Sequence, residues 1–465
     1  MALMLVAVGV LSAGVLIVYL SGAFRRSSGP PRNIVPVLDG WWGRGKKPEE
    51  EEDAAIREFK LEVSAEELED LNDRLRKARW FESVEETKFH FGIKPEYMKS
   101  IQEYWLNEYD WRKQEKRLNK YPQFKTNIEG IDIHFVRATP SKLKPGQRAK
   151  PIMMVHGWPG SFYEFFKIIP MLIDPTNHGG TDVDVFEVIC PSLPGYGFSE
   201  AAHKQGLNVR EIGRIFHKLM LRLGFESYYL QGGDWGSMVI DQTAGMFPKH
   251  VRGMHSNFTS QLAPLSQVVL GKLVPSLVLD DESYGKFLPS WSRIVFGLKE
   301  FGYLHLNATK PDTIGHALTD SPVGLAAYII EKFSVWTNYG WIDLDDGGLD
   351  GYWSKDDLLN NVMIYWVSGC ITSSLRLYKE TIPKSSELKK FINTVPTGLA
   401  DLPNDLNRSQ RNWAARHFSN IITYRTYPTG GHFAALEVPE LLAEDVRNFV
   451  QKVEELYPEV MSSES

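Results

Sequence analysis

The chain lacks the motifs of several common protein classes. Its 465 residues contain only two cysteines, Cys190 and Cys370, and both lie in apolar runs. Two buried free thiols are therefore expected rather than a disulfide framework. The sequence has no HExxH, no paired CxxC, no Walker loop and no GxGxxG after a strand, so neither a metal nor a nucleotide is predicted. A formal net charge of −6 provides no basic surface, and no nucleic-acid partner is expected.

The pentapeptide Gly-x-Ser-x-Gly, which carries the nucleophile of many serine hydrolases, is also absent. Residues 232–236 instead read Gly-Gly-Asp-Trp-Gly and follow the run 227–231. A strand that enters a helix through a glycine-flanked turn is the nucleophile elbow of an α/β hydrolase, and here it presents Asp234. An aspartate that attacks saturated carbon forms an ester that water can cleave, whereas a serine would form an ether. The elbow therefore predicts epoxide opening or halide displacement.

Two further segments carry groups that this chemistry needs. Residues 156–159 read His-Gly-Trp-Pro and follow a predicted buried strand, where α/β hydrolases place one oxyanion-hole N–H. The residue after the nucleophile supplies the second, so the backbone amides of Trp158 and Trp235 are the predicted donors. His432 lies between two glycines and a phenylalanine after the last predicted strand, which is where this fold keeps its catalytic base.

The acid that orients His432 is expected on the loop after the preceding strand. Asp401 and Asp405 both fall on that predicted loop. Loop aspartates usually serve as turn or cap residues, so only one of the two is needed as the acid. Their spacing leaves both as candidates.

Tyrosines distinguish the two chemistries that the elbow allows. Epoxide opening needs a donor for the leaving oxygen, and a neutral tyrosine hydroxyl is suitable, whereas halide displacement needs no proton. The predicted cap is rich in tyrosines, namely Tyr284, Tyr303, Tyr328, Tyr352, Tyr365 and Tyr378. Composition favours epoxide opening but does not identify the catalytic pair among them.

The order of apolar runs predicts an α/β-hydrolase fold with a mostly helical inserted cap, an N-terminal extension and an N-terminal membrane anchor. We predict a hairpin at 124–138, strands at 152–155, 185–190, 228–231, 251–254, 394–399 and 421–427, and helices at 209–223 and 439–456. The predicted segments are a transmembrane anchor at 1–24, a linker at 25–60, an N-terminal helical extension at 61–122, the hydrolase core at 123–260 and 386–465, and the cap at 261–385.

The anchor prediction rests on the first 24 residues, which contain no charged side chain. Residues 3–20 are almost wholly apolar, which is about the length that spans a bilayer. A cleaved signal peptide is the alternative, but a basic leading region is missing and the apolar core exceeds the roughly 7–15 residues usual there. Arg25 and Arg26 follow directly, so the positive-inside rule predicts a single-pass anchor with the catalytic body in the cytosol. Trp41 and Trp42 in the linker either rest at the lipid interface or dock on the folded body.

Six motifs follow one another along the chain: GWWG at 40–43, HGWPGSFYE at 156–164, PSLPGYGFS at 191–199, GGDWG at 232–236, KPDTIGHALTDSPVGLAAYIIEK at 310–332 and GGHFAA at 430–435. In these motifs, and over nearly its whole length, the chain resembles the microsomal-type epoxide hydrolases, which include the insect juvenile hormone epoxide hydrolases. The resemblance implies a nucleophile at Asp234, a base at His432 and epoxide-activating tyrosines at Tyr303 and Tyr378. It implies the acid at Asp405, where relatives often have glutamate.

The shorter aspartate side chain at that position keeps Asp401 as an alternative acid. The resemblance also implies that no metal or organic cofactor is needed and that the enzyme is attached to the endoplasmic reticulum. The expected partners are a lipophilic epoxide, water and the membrane lipid around the anchor. The expected product is a vicinal diol, formed through an alkyl-enzyme ester, and the substrate is left open between a juvenile hormone, a fatty-acid epoxide and a xenobiotic. A haloalkane dehalogenase and a non-catalytic binder of hydrophobic ligands are the alternative functions.

Overall fold

The computed structural model describes residue 34 and residues 38–47, 52–259, 261, 263–288 and 290–458. The predicted anchor at 1–24 lies outside these residues and stays a prediction. Within the described ranges, every helix is too short or too polar to cross a membrane. Both cysteines are buried free thiols, as their apolar surroundings in the sequence predicted.

Short apolar runs build a sheet at the centre of the molecule. Runs such as 152–155 and 228–230 are apolar at consecutive positions, which is the pattern of parallel strands buried on both faces. The strands of the described residues are β1 (Arg57–Phe59), β2 (Gln123–Ile128), β3 (Ile131–Ala138), β4 (Lys150–Val155), β5 (Phe186–Pro191), β6 (Tyr228–Gly232), β7 (Val251–Ser256), β8 (Thr397–Asp401) and β9 (Ile421–Thr426). They lie in the order β1-β2-β3-β5-β4-β6-β7-β8-β9.

The sheet combines an antiparallel edge with a parallel body. The pairs β1–β2, β2–β3 and β3–β5 are antiparallel, and the pairs from β5 through β4 to β9 are parallel. Because parallel strands end at the same edge, the segments that follow β4, β6, β8 and β9 meet there. These segments carry the predicted oxyanion loop, the elbow, the acid and His432.

The predicted strands and hairpin are present, with one boundary that matters for the site. β8 extends through Asp401, whose backbone pairs with Thr426 of β9 and whose carbonyl accepts a hydrogen bond from the Tyr427 N–H at 3.1 Å. The prediction that Asp401 lies on the loop after the strand is therefore wrong, because the ladder to β9 continues to this residue. Asp405 does lie on that loop.

Helices flank the strands and form most of the remaining segments. Those outside the predicted cap are α1 (Ala65–Arg76), α2 (Pro95–Asn107), α3 (Trp111–Leu118), α4 (Ile169–Ile173), α5 (Val209–Arg222), α6 (Asp234–Met246), and, after the cap, α14 (Ser385–Leu388), α15 (Arg411–Ala414), α16 (Ala434–Glu437) and α17 (Pro439–Leu456). The helix predicted at 439–456 has the same bounds, with a proline at its first position where no N–H is required. Ser64 and Glu67 form the reciprocal capping box of α1.

The segment predicted as the cap is helical. Its helices are α7 (Leu265–Leu273), α8 (Trp291–Glu300), α9 (Gly302–Thr309), α10 (Pro311–Asp320), α11 (Pro322–Val335), α12 (Lys355–Ser368) and α13 (Ile371–Thr381). The N-terminal extension holds α12 in place, since the Tyr104 hydroxyl and the Gln114 amide both donate to Asp356 at 2.8 Å. The Tyr109 hydroxyl donates to Asn360 of the same helix at 2.7 Å.

Part of the segment predicted as a linker belongs to the folded body. Residues 57–59 form the edge strand β1, so the linker prediction for 25–60 is wrong at this end. Trp42 is buried, and its indole N–H donates to the Glu129 carbonyl at 3.0 Å. Trp41 packs beside it, with ring centroids 4.7 Å apart. Of the two alternatives for these tryptophans, docking on the folded body is observed.

Glu129 also carries a buried ion-pair network. Its fully buried carboxylate accepts hydrogen bonds from the Arg214 guanidinium at 2.8 and 2.7 Å and lies 2.8 Å from the Lys218 ammonium.

We expect Glu129→Gln to lower the free energy of unfolding by on the order of 3 kcal/mol, because Arg214 would keep only the Glu211 carboxylate as an ion-pair partner. Breaking the exposed Arg57 ion pairs by Arg57→Gln should cost less than about 1 kcal/mol. Urea unfolding of both variants measures the difference, and equal losses would contradict it.

Candidate active site

Asp234 occupies the tip of the turn between β6 and α6. Its φ of 46° lies in the left-handed region, which costs a residue other than glycine on the order of 1–3 kcal/mol. Glycine is required at 236, because a Cβ there would lie 1.9 Å from the carbonyl oxygen of Val155. This close approach brings the start of α6 against the end of β4. The strained, glycine-dependent turn has the geometry predicted for the elbow.

The two oxygens of the Asp234 carboxylate face two different groups. The Trp158 backbone N–H donates to Oδ1 at 2.8 Å. Nε2 of His432 lies 3.3 Å from Oδ2. The Trp235 N–H belongs to the first turn of α6, where a helical N–H has no acceptor within the helix. The structure thus brings the predicted oxyanion loop, elbow and histidine together around one carboxylate.

The second nitrogen of His432 is held by Asp405. Nδ1 lies 2.7 Å from Oδ1 of Asp405, and the same oxygen accepts the Leu406 N–H at 2.7 Å. The side chains of His432 and Asp405 are 2% and 3% exposed, so this pair is shielded from water. The aspartate is therefore long enough to reach the imidazole.

Asp401 makes a different set of contacts. Its carboxylate forms an ion pair with Arg408 and accepts a hydrogen bond from the Tyr284 hydroxyl at 2.7 Å. Both oxygens are engaged by these partners. Of the two candidate acids, the structure pairs only Asp405 with His432.

Opposing effects set the charge of the imidazole. Burial disfavours the imidazolium, but the carboxylates of Asp405 and Asp234 outweigh it and raise the pKa of His432 well above its usual value. Burial also raises the pKa of Asp405, and the neighbouring His432 partly offsets this. Because Asp234 contributes to the raised pKa of His432, neutralising Asp234 would make His432 a more available base.

Two cap tyrosines lie over the oxyanion loop. Tyr303 of α9 stacks on the Trp158 ring with centroids 5.4 Å apart and planes at 9°. Tyr378 of α13 meets the same ring edge-on at 5.9 Å and the Trp235 ring at 4.7 Å. Burial and the charge of Asp234 raise the pKa of both phenols well above the usual value. Both hydroxyls are therefore neutral proton donors at physiological pH.

The other cap tyrosines have different partners. The Tyr284 hydroxyl bonds Asp401, the Tyr328 hydroxyl donates to Asn307 at 3.1 Å, and Tyr352 is 44% exposed. The Tyr365 hydroxyl of α12 donates to the Gly160 carbonyl at 2.7 Å, and its neighbour Asn361 donates to the Pro159 carbonyl at 2.7 Å. Helix α12 thus fixes the loop that presents the Trp158 N–H.

Two half-buried glutamates near the site were not predicted from the sequence. Glu437 of α16 accepts the backbone N–H groups of Gly431 and Phe433 at 2.8 and 2.7 Å, which fixes the turn that presents His432. Burial raises the pKa of Glu437 to about 8. Glu164 lies within the motif at 156–164, and burial raises its pKa to about 8 as well. The motif identified the segment but gave no signal that this carboxyl faces the site.

Two cavities adjoin these residues. A cavity of about 20 Å³ is lined by side chains that include Glu164, Gln231, Asp234, Asn257 and His432. A larger one, of about 470 Å³, reaches Asp405 and Trp336 and is walled by Phe287, Arg293, Phe296 and Tyr339. Within the described part of the chain, no cluster of three or more His, Cys, Asp or Glu side chains forms a metal site.

Comparison with known proteins identifies the family of this site. The family model for the epoxide hydrolase N terminus matches residues 56–165, and the model for the alpha/beta hydrolase fold matches residues 150–292. The chain is 50% identical to epoxide hydrolase 1 of Sus scrofa, over 90% of this chain and 93% of that protein. It is 42% identical to juvenile hormone epoxide hydrolase 1 of Ctenocephalides felis, over 97% and 96% of the two chains.

A solved structure agrees with these sequence matches. The crystal structure of juvenile hormone epoxide hydrolase from the silkworm Bombyx mori superposes with a TM-score of 0.84 at 38% identity, covering 90% of this chain and 99% of that one. Identity of this level over nearly the full length, together with the aspartate elbow, shows that the chain is an enzyme of the epoxide hydrolase family with the α/β-hydrolase fold.

Proposed function

We propose that the enzyme adds water to lipophilic epoxides through a covalent ester on Asp234, and that the products are vicinal diols. One observation carries this proposal. A strained aspartate lies between an imidazole at 3.3 Å and a backbone N–H at 2.8 Å, below two neutral tyrosines. This set contains a nucleophile, a base, an oxyanion donor and two acids for the epoxide oxygen.

In the first step, one oxygen of Asp234 attacks an epoxide carbon, and the ring C–O bond breaks. The hydroxyls of Tyr303 and Tyr378 stabilise the developing alkoxide by hydrogen bonding and proton donation, which a water-poor site requires. The product is an alkyl ester of Asp234. Esterification removes the negative charge of this carboxylate and with it part of the effect that raises the pKa of His432.

In the second step, His432 Nε2 removes a proton from a water molecule, and the water oxygen attacks the carbonyl carbon of the Asp234 ester. Asp405 stabilises the imidazolium through its 2.7 Å contact with Nδ1. The Trp158 N–H already bonds Oδ1, so it can stabilise the oxyanion that forms there, and the Trp235 N–H is the proposed second donor.

The ester C–O bond then breaks, and the leaving oxygen takes the proton held by His432, which releases the diol. The proton left on the Asp234 carboxyl group replaces the one that the tyrosine gave up in the first step, and the carboxylate is restored.

We propose lipophilic epoxides as the substrate class because the nucleophile lies beside aromatic rings. The rings of Trp158, Tyr303 and Tyr378 pack together next to Asp234, and Trp336 packs against Trp158 and Tyr303. Juvenile hormone is named in the relatives from Ctenocephalides felis and Bombyx mori, so a terpenoid epoxide belongs to the proposed class together with fatty-acid and xenobiotic epoxides. We further propose that residues 1–24 anchor the enzyme in the endoplasmic reticulum membrane with its catalytic body in the cytosol.

Single-turnover hydrolysis in ¹⁸O-labelled water tests the covalent route. Enzyme in excess is mixed with a long-chain terminal epoxide, and the diol and the peptide containing Asp234 are analysed by mass spectrometry. The expected result is an unlabelled diol and one ¹⁸O in the Asp234 carboxylate, because water attacks the ester carbonyl and not the epoxide. Label in the first-turnover diol would contradict the proposal.

A parallel incubation with a haloalkane tests the dehalogenase alternative. Release of halide from the haloalkane, together with no diol from the epoxide, would support that alternative.

The two candidate acids are distinguished by matched substitutions. We expect Asp405→Asn to lower kcat by about a hundredfold or more, because the imidazolium loses its charge partner. Asp401→Asn should leave kcat nearly unchanged and lower the melting temperature, because it weakens the pairing with Arg408. Steady-state kinetics and thermal unfolding of both variants measure these effects. A larger loss of kcat in Asp401→Asn would contradict the assignment.

A further inference from the structure

Glu164 is a half-buried residue beside the nucleophile, and the two-step mechanism above does not use its carboxyl group. It lies in the 3₁₀ segment Phe162–Phe166, directly after the loop that presents Trp158. A Cβ at Gly160 would lie 2.5 Å from Cδ of Glu164, so glycine at that position leaves the room that this carboxyl occupies. The backbone N–H of Gly157 also favours the carboxylate form of Glu164, which lowers its pKa. These neighbours place the Glu164 carboxyl group next to the elbow.

The cavity of about 20 Å³ joins Glu164 to the reacting groups, because Asp234 and His432 line it as well. A water molecule needs roughly 10–15 Å³ and two to four polar partners, so this cavity has room for about one. Among the described residues, Oε1 of Gln231, which also lines the cavity, has no hydrogen-bond partner, and Nε2 of His432 has only its 3.3 Å contact with Oδ2 of Asp234. A water in this cavity would thus meet a base, a free acceptor and a carboxyl group.

We propose that Glu164 is a further catalytic residue, which holds and orients the water that hydrolyses the Asp234 ester. This inference rests on the proposed covalent route. One hydrogen of the water bonds His432 Nε2, the other bonds the Glu164 carboxylate or Gln231, and the oxygen faces the ester carbonyl carbon. His432 takes the first hydrogen as a proton while the new C–O bond forms, and the second remains on the oxygen that becomes part of the Asp234 carboxyl group.

The charges of the site favour this role at the right stage of the cycle. Burial raises the pKa of Glu164 to about 8, the neighbouring His432 lowers it, and the negative charge of Asp234 raises it. With a pKa of about 8, Glu164 is largely protonated at neutral pH in the resting enzyme. As His432 takes a proton from the water it becomes an imidazolium, whose charge lowers the pKa of Glu164 and favours its carboxylate while the new C–O bond forms.

Separate measurement of the two half-reactions tests the inference. Stopped-flow tryptophan fluorescence follows ester formation beside Trp158 and Trp235, and intact-protein mass spectrometry follows the ester on Asp234. The glutamine side chain has nearly the same shape as that of glutamate, and its amide oxygen can still accept a hydrogen bond from the Gly157 N–H. We expect Glu164→Gln to form the ester at nearly the parent rate and to hydrolyse it roughly 10- to 100-fold more slowly, the effect of losing one charged hydrogen bond. The ester should accumulate, and one ionisation should disappear from the pH profile of hydrolysis.

Glu164→Asp is the conservative control, since it retains a carboxylate and should recover part of the hydrolysis rate. An unchanged hydrolysis rate in Glu164→Gln would overturn the inference. Equal slowing of both half-reactions, without recovery in Glu164→Asp, would also overturn it by indicating a purely structural role. Failure of the parent enzyme to form any ester on Asp234 would instead overturn the covalent route itself, and the Glu164 inference with it.

Discussion

Replacement of Asp234 by alanine is expected to abolish diol formation, with a loss of kcat of about 10⁶-fold, as is typical when a covalent nucleophile is removed. No other carboxylate can replace it, because attack requires the tip of the elbow, where backbone strain and the glycine at 236 position this one side chain. Chromatographic measurement of diol formed from a lipophilic epoxide tests this loss, and a high enzyme concentration makes a very slow residual rate detectable.

A second substitution at this position separates loss of the nucleophile from loss of the fold. Asparagine tolerates the left-handed conformation better than most residues and nearly matches aspartate in volume, so Asp234→Asn should retain the parent melting temperature. Its neutral amide is a poor nucleophile, and it should form no ester detectable by mass spectrometry. Diol production by both variants at more than about one thousandth of the parent rate would exclude Asp234 as the nucleophile.

The elbow could be predicted from the sequence because its determinants are local. Glycines at fixed positions around Asp234 specify a turn that only a small number of backbone conformations can make. His432 and Trp158 could be predicted for a related reason, since both follow strands of a parallel sheet whose carboxyl ends meet at one edge. These positions depend on element order and not on the details of packing.

The acid could not be chosen from the sequence because the choice depends on where one strand ends. Strand β8 extends two residues beyond its predicted end, and this extension places Asp401 in the sheet and leaves Asp405 to reach His432. Strand ends are set by pairing with a neighbour, in this case β9, which a propensity pattern does not contain. Glu437 was missed for the same kind of reason, since its two backbone contacts form only when α16 packs beside the histidine turn.

The two tyrosines proposed to activate the epoxide could not be identified from composition, because they come from cap helices far apart in the sequence. Tyr303 and Tyr378 lie on α9 and α13, pack edge-on against each other with ring centroids 6.1 Å apart, and both contact the Trp158 ring. The resemblance to known epoxide hydrolases indicated both residues, and the structure adds their shared position above the oxyanion loop. Their two hydroxyls act on one epoxide oxygen in the proposed mechanism, so their effects on the rate should be coupled.

Tyr303→Phe and Tyr378→Phe are each expected to slow ester formation by roughly 10²-fold, because one donor to the leaving oxygen is lost. The double variant should be slowed by at least about 10⁴-fold, since no neutral donor then remains for the alkoxide. The rate of ester hydrolysis should change little in the single variants, because that step depends on His432 and the oxyanion donors. Stopped-flow fluorescence under single-turnover conditions separates the two rates.

Tyr328→Phe is the matched control for this experiment. The Tyr328 ring also packs edge-on against Trp158, at 5.6 Å, but its hydroxyl donates to Asn307 and not towards the elbow. Removing that hydroxyl should therefore leave ester formation close to the parent rate, although it removes the same atom from the same aromatic cluster. Equal slowing in Tyr328→Phe would assign the effect to cap packing. Parent-like ester formation in the Tyr303 and Tyr378 double variant would remove both phenols from the chemistry, and the epoxide oxygen would then need another proton donor.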